Sequence, residues 1–275
     1  MSVGYANNLI QEGKTVIDSC IKVYGVQEKC SWTKLGAIDD IKAMAQSSNY
    51  YQFLIATRLT NPNYRWNAKL NATKEHFDIY RNMLTSYGLG SITGIDLPNE
   101  RVGIKGKTVS DDLLLNLAIG QYDTYTPIEV FQYINTLANS GSRLKPTLMK
   151  KIVKNDEVLI ESSPTLLNKV DMSEEKIKRV QKGLREVMVS GTGRNYADSK
   201  IKGAGKTGTS ETFIDTDGDG KIDKQTISTA FIMYAPYDDP EYSIMILSPN
   251  ISAGGHKYAI NLRAVKQLSD YLFNN

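Results

Sequence analysis

Polar and apolar residues recur along this chain with two different periods. In the middle of the chain the period is helical. Thr126, Pro127 and Glu129 read as an N-cap, a proline at the first helical position and a capping-box partner. Ile128, Phe131, Ile134, Leu137 and Ala138 then share one face, and Gly141 ends the run. A second helix is expected from Ser173, with Glu174 and Glu175 in its first turn and Ile177, Val180, Leu184, Val187 and Met188 as its stripe. Gly191 is its stop. Residues 38 to about 190 are on this basis expected to be mostly helical. After Gly191 the period changes. Ile201–Phe213, Thr226–Ala235 and Tyr242–Leu247 read as three strands joined by turns rich in Asp, Gly and Pro. Phe231, Ile232 and Met233 are consecutive apolar residues, so the second strand is expected to be central and covered on both sides. A helix from about Tyr258 to Phe273, buried through Val265, Leu268 and Leu272, closes the chain. The expected class is α+β, an antiparallel sheet packed by helices. A mainly helical part spans about residues 1–195, and the sheet with its final helix spans about 196–275.

Composition narrows the function. Of 275 residues, 41% are hydrophobic and 23% charged, an ordinary globular balance with enough chain for a sizeable core. Lys and Arg number 33 against 30 acidic residues, a net charge of +3 with no long run of one sign, which argues against a nucleic-acid partner. Two His (His76, His256) and two Cys (Cys20, Cys30) are too few for a zinc cluster. The cysteines leave two readings open, a small hairpin disulfide or two unpaired core thiols. The longest apolar runs, such as Leu113–Ile119 and Phe231–Tyr234, are too short to span a bilayer, and no signal peptide is visible. The chain then reads as cytoplasmic or as a piece of something longer.

The richest chemistry lies in Gly203-Ala204-Gly205-Lys206-Thr207-Gly208-Thr209. A phosphate-binding loop would need a Gly where this chain has Lys200, and a helix after its Lys. Strand-like sequence follows Lys206 instead. A Lys ammonium and two Thr hydroxyls on an edge strand suit a substrate carboxylate. Gly208 leaves room for a substrate backbone, and the Thr209 N–H can face a developing oxyanion. The competing reading is a plain edge strand with a glycine bulge. Upstream, Ser47-Ser48-Asn49 offers a hydroxyl that can relay a proton and an amide that can bind a peptide carbonyl. Its competing reading is a helix cap by Asn49.

Taken together, these motifs resemble the transpeptidase domain of class B penicillin-binding proteins. The resemblance is carried by Ser47-Ser48-Asn49, Gly94-Ile95-Asp96-Leu97-Pro98, Ile119-Gly120-Gln121 with Thr126-Pro127, Leu137-Ala138-Asn139-Ser140-Gly141, Gly191-Thr192-Gly193, Lys206-Thr207-Gly208-Thr209 and Tyr234-Ala235-Pro236. They stand in the family's order over nearly the whole chain. The resemblance implies a penicillin-binding-protein or β-lactamase-like fold with a helical subdomain, and a serine-type D,D-transpeptidase activity with no required cofactor. Its partners would be peptidoglycan stem peptides and β-lactam antibiotics. Ser47, Asn49, Lys206 and Thr209 would be catalytic, and Thr207 and Gly208 would bind substrate. The Tyr- and Asn-rich texture looks Gram-positive. Alternatives are a class D β-lactamase or β-lactam sensor, against which Asn49 argues, and a degenerate non-catalytic wall-binding module.

Two departures stand out. The family's nucleophile motif, Ser-x-x-Lys, has three chance matches here, Ser19–Lys22, Ser31–Lys34 and Ser173–Lys176. The first two lie only 28 and 16 positions before Ser47, and the third lies after it, in the wrong order. Met1-Ser2-Val3-Gly4-Tyr5 looks like the continuation of the nucleophile helix. The expectation is a domain truncated just after its nucleophile, without the first sheet strands or the membrane anchor, and inactive as it stands. The parent protein would then work on the extracytoplasmic face of the membrane. The second departure is Asp215-Thr216-Asp217-Gly218-Asp219-Gly220-Lys221-Ile222-Asp223, which follows a calcium-loop pattern, with Asp215, Asp217, Asp219 and Asp223 as ligands. Thr226 falls where the closing carboxylate belongs. The competing reading is a solvated hairpin turn.

Overall fold

The structure is a computed structural model, and it describes residues 1–196, 201–251 and 259–273. Helix α1 (Ser2–Ala6) is followed by four two-residue strands, β1 (Val16–Ile17), β2 (Cys20–Ile21), β3 (Lys29–Cys30) and β4 (Ala37–Ile38). Helices α2 (Asp40–Ala45), α3 (Asn49–Thr60), α4 (Lys74–Ser86), α5 (Asp111–Ala118) and α6 (Pro127–Ala138) come next. Four more strands, β5 (Ser142–Leu144), β6 (Lys151–Lys154), β7 (Glu157–Glu161) and β8 (Leu166–Lys169), precede α7 (Glu174–Val189). The main sheet and last helix are β9 (Ala204–Ile214), β10 (Lys224–Ala235), β11 (Tyr242–Ile251) and α8 (Ala259–Phe273). The expected start of α8 near Tyr258 lies outside the described residues.

Local signals explain the best-placed helices. Thr126 and Glu129 form the capping box of α6, and Ser173 caps α7 by accepting from the Lys176 N–H. The main sheet is antiparallel in the order β11-β10-β9, so β9 is an edge and β10 is central. Alternate residues of β10 face different cores. Ile232 and Tyr234 pack with the body of helices, while Phe231 and Met233 join Val187, Met188, Ile244 and Val265 on the other face. This is the both-sided burial that the apolar run implied.

Two expectations need correcting. The last helix is buried through Val265 and partly through Leu272, but Leu268 is exposed. Residues 142–169 are not helical but hold β5–β8, paired as β5-β8 and β6-β7. The β6–β7 hairpin turns at Asn155 and Asp156, both at positive φ (48° and 66°), a geometry suited to a two-residue turn between strands. Its apolar residues, Ile152, Val153, Val158, Leu159 and Ile160, are all exposed, so no one-sided periodicity betrays the strands. Cys20 and Cys30 face each other across β2 and β3 and form a disulfide, which settles the open reading.

A buried ion pair ties the helices beside the sheet. Asp40, at the start of α2, accepts from Arg179 Nε and Nη2 on α7 at 2.8 Å each, from the Gly13 N–H, and from the Tyr5 hydroxyl on α1. Gly191 lets the end of α7 meet α2, since a Cβ there would lie 2.2 Å from the Ala45 carbonyl oxygen. Among the described residues no helix is long and apolar enough to cross a membrane.

Candidate active site

Two turns meet at the edge strand. The first links α2 to α3. Ser47 sits there at φ 55°, a left-handed conformation that costs a serine about 1–2 kcal/mol. Ser48, not Asn49, caps α3, its hydroxyl accepting the Tyr51 N–H at 3.0 Å. Asn49 is the first helical residue, two positions from Ser47, and its amide makes no hydrogen bond among the described residues. The second turn follows α7. Thr192 is anchored by its N–H to the Ala45 carbonyl at 3.0 Å.

Lys206, the third residue of β9, joins the two motifs. Its Nζ donates to Ser47 Oγ and to the Thr207 carbonyl, both at 2.9 Å. Residues 159 apart in sequence thus touch directly. The side chain is half-buried, and no carboxylate pairs with it among the described residues. Desolvation therefore lowers its pKa from 10.5 to about 8. Thr207 shares a hydroxyl hydrogen bond of 2.7 Å with Thr192. Thr192 was visible in sequence only as the centre of Gly191-Thr192-Gly193, with no role attached.

Gly208 and Thr209 follow on the exposed edge. A Cβ at Gly208 would meet only Ala230, its Cβ at 3.7 Å and its carbonyl oxygen at 3.9 Å, both ordinary contacts, and its φ is not positive. Packing does not demand glycine there; its effect is to leave the strand edge bare. Thr209 pairs in register with Thr229 of β10. The cluster can hold an anion against a strand edge, with a hydroxyl hydrogen-bonded to an amine beside it.

Two of the three chance nucleophiles have structural roles, although Ser31 lies beside the turn, 3.3 Å from Ser48 Oγ. Ser31 Oγ donates to Asp18 and accepts the Tyr50 N–H, and Ser173 caps α7. Ser19 is exposed.

The aspartate loop is only partly gathered. Oxygens of Asp215, Asp217 and Asp223 lie within 4.8 Å of one another on the exposed β9–β10 turn. Asp219 is outside that group, with its Oδ2 on Lys221 Nζ at 2.9 Å. Thr226, at the closing position of the loop pattern, is buried in β10 and bonds to Thr212 and Asn250. Backbone N–H groups of Gly218 and Gly220 already engage Asp215, and the Thr216 N–H engages Asp223. The four-ligand expectation is thereby reduced to three carboxylates in a self-satisfied turn.

Comparison with known proteins gives a consistent answer. The family described as penicillin binding protein transpeptidase domain matches residues 1–267. Penicillin-binding protein 2A of Bacillus subtilis is 40% identical over 228 residues, covering 80% of this chain and 32% of that protein. Penicillin-binding protein 2B of Streptococcus pneumoniae is 30% identical over 267 residues, covering 91% of this chain and 38% of that protein. The solved structure of penicillin-binding protein 2B from S. pneumoniae strain R6 superimposes with a TM-score of 0.86 at 28% identity, over 100% of this chain and 46% of that one. A penicillin-binding protein 3 from Mycobacterium tuberculosis, solved in complex with aztreonam, shares the fold at a TM-score of 0.73 and 22% identity. The chain thus spans about a third of the length of these curated relatives.

Proposed function

The chain belongs to the penicillin-binding protein transpeptidase domain family, and from that premise we propose that its site is the substrate clamp of a serine-type peptidoglycan D,D-transpeptidase. The observation that carries this reading is the 2.9 Å bond from Lys206 to Ser47, which puts an ammonium, a relay hydroxyl and an exposed strand edge in one place. In the reaction a serine attacks the carbonyl between two D-Ala residues, D-Ala leaves, and an amine of a second stem peptide takes the acyl group. Ser47 passes a proton to the leaving amine. Lys206, Thr207 and Thr209 hold the terminal carboxylate, and the Thr209 N–H stabilises the oxyanion. The amide of Asn49, unengaged among the described residues, orients the peptide carbonyl. A β-lactam carboxylate takes the same clamp.

In this reading the chain supplies the clamp but not the nucleophile: Ser31 is tied to Asp18 and the Tyr50 N–H, Ser173 caps α7 while Lys176 pairs with Glu12, and Ser19 stands exposed ahead of β2. It therefore captures ligand reversibly without acylation. The site works outside the membrane, where peptidoglycan lies, and the Cys20–Cys30 disulfide suits that oxidising compartment. The test pairs calorimetry with labelling. A peptide ending in D-Ala–D-Ala should bind weakly, Lys206→Ala should weaken that binding at least about tenfold, and fluorescent penicillin should leave no covalent band. Stable labelling mapped to Ser19 or Ser31 would overturn the account of the nucleophile.

A further inference from the structure

A carboxylate outside the family motifs lies under the Ser47 turn. Asp18 precedes the disulfide hairpin by two residues, and Ser31 follows it directly. The Ser31 hydroxyl donates to Asp18 Oδ2 at 2.8 Å, and the Ser48 hydroxyl donates to the same oxygen at 2.6 Å. These two hydroxyls also receive the first turn of α3. Ser31 Oγ accepts the Tyr50 N–H at 3.1 Å, and Ser48 Oγ accepts the Tyr51 N–H at 3.0 Å.

We propose that Asp18 is a positioning residue for the Ser47–Asn49 turn, acting through the hydroxyls of Ser31 and Ser48. The argument is one of proton direction. An ionised carboxylate can only accept. Both hydroxyls must then turn their protons toward Asp18, which leaves their lone pairs aimed at the N–H groups of Tyr50 and Tyr51. A helix start leaves such N–H groups without intrahelical partners, so the carboxylate sets the seat of α3 indirectly. Ser48 is flanked by Ser47 and Asn49, so its seat also fixes theirs. That matters because Ser47 is held in a left-handed conformation that needs its surroundings to enforce it. The Cys20–Cys30 cross-link, in register between β2 and β3, keeps Asp18 and Ser31 facing each other. The disulfide thereby contributes to site geometry through Asp18.

The proposal rests on reading Ser47 as part of the site, yet its test does not need substrate. Lys206 in the 275-residue chain is titrated by NMR of its labelled ε-carbon, assigned with Lys206→Arg. Asp18→Ala frees both hydroxyl protons, loosens Ser47 and lets water reach the Lys206 ammonium. Its pKa should then rise from about 8 toward 10.5 by roughly half a unit or more. Asp18→Asn retains a carbonyl acceptor and should keep the wild-type titration. Ser31→Ala, which leaves the Ser48 cap intact, should shift it the same way by less, and it serves if Asp18→Ala does not fold. Cys20→Ser with Cys30→Ser should also give a partial shift. A folded Asp18→Ala or Ser31→Ala chain with unchanged Lys206 titration overturns the proposal, as does Asp18→Asn shifting as far as Asp18→Ala. If the chain fails to bind peptide but Lys206 responds as expected, the functional reading fails and the positioning role stands.

Discussion

The two ends of strand β9 carry polar side chains in opposite surroundings. At the near end Lys206 and Thr207 meet partners 159 and 15 residues away, brought in by α2, α3 and the end of α7. At the far end the aspartates bond to groups at most seven residues away, within their own turn. The near end is enclosed, and desolvation pulls an ammonium down to about 8. The far end is open water, where Phe213 and Ile222 are 56% and 67% exposed, and hydrogen bonds within the turn, from the Gly220 N–H to Asp215 and from the Thr216 hydroxyl and N–H to Asp223, only lower the carboxylates further. Reactivity requires the first kind of place. A charge is tuned where distant elements exclude water, not where charges merely accumulate.

The largest test removes the support of the near end. Arg179→Met leaves Asp40 buried without its main partner, and breaking such a pair costs roughly 3–5 kcal/mol. Urea unfolding should register that loss, whereas any single aspartate change in the far loop should stay within about 0.5 kcal/mol. The ion pair also has a pH signature. Burial works to raise the Asp40 pKa, but hydrogen bonds from Arg179, Tyr5 and the Gly13 N–H outweigh it and hold the group near 2, against 3.8 unfolded. A depressed carboxylate gives stability that is present above 3.8 and is lost as pH falls toward 2. Acid titration of stability should show that step, of order 1–2 kcal/mol, and Arg179→Met should erase most of it.

The next effect is on ligand capture. Lys206→Ala should weaken binding of a D-Ala–D-Ala peptide by at least about tenfold, the loss expected of one charge-assisted hydrogen bond. In the wild type, capture should weaken as pH rises through about 8, because Lys206 then loses its charge. An ordinary lysine would keep it until about 10.5. A flat pH profile between 7 and 9.5 would remove the distinction between the two ends of the strand.

How much of this was legible in sequence depends on range. The cap of α6 is legible because it is written within four residues, Thr126 to Glu129. The central place of β10 follows from Phe231, Ile232 and Met233 alone. The β6–β7 hairpin is not legible from periodicity because its apolar side chains face solvent on both sides, although Asn155-Asp156 between β-branched runs is a turn signal. The Lys206–Ser47 contact came from a resemblance between motifs, not from periodicity. Asp18 and Arg179 carry no local mark at all, Ser31 shows only as a chance Ser-x-x-Lys match, and Thr192 shows only as the centre of Gly191-Thr192-Gly193. Their partners lie 13 to 139 residues away, and only the fold brings them together.

The smallest effect concerns calcium at the far end. Asp215, Asp217 and Asp223 can offer three carboxylates within 4.8 Å, but Asp219 is drawn to Lys221 and Thr226 is buried away from the turn. With no closing bidentate ligand, affinity should fall in the millimolar class. Binding at a calcium concentration equal to its dissociation constant adds only about 0.4 kcal/mol. Millimolar Ca²⁺ should therefore raise the melting temperature slightly, Asp217→Ala should abolish the rise, and Lys221→Ala should enlarge it by releasing Asp219. A melting curve unmoved up to about 10 mM Ca²⁺, beyond the weakest loops of this kind, leaves the turn's own hydrogen bonds and the Lys221–Asp219 pair as the whole account of these aspartates. The near end should be indifferent throughout, since Lys206 titrates about 8 with or without the ion if the two ends of β9 are independent.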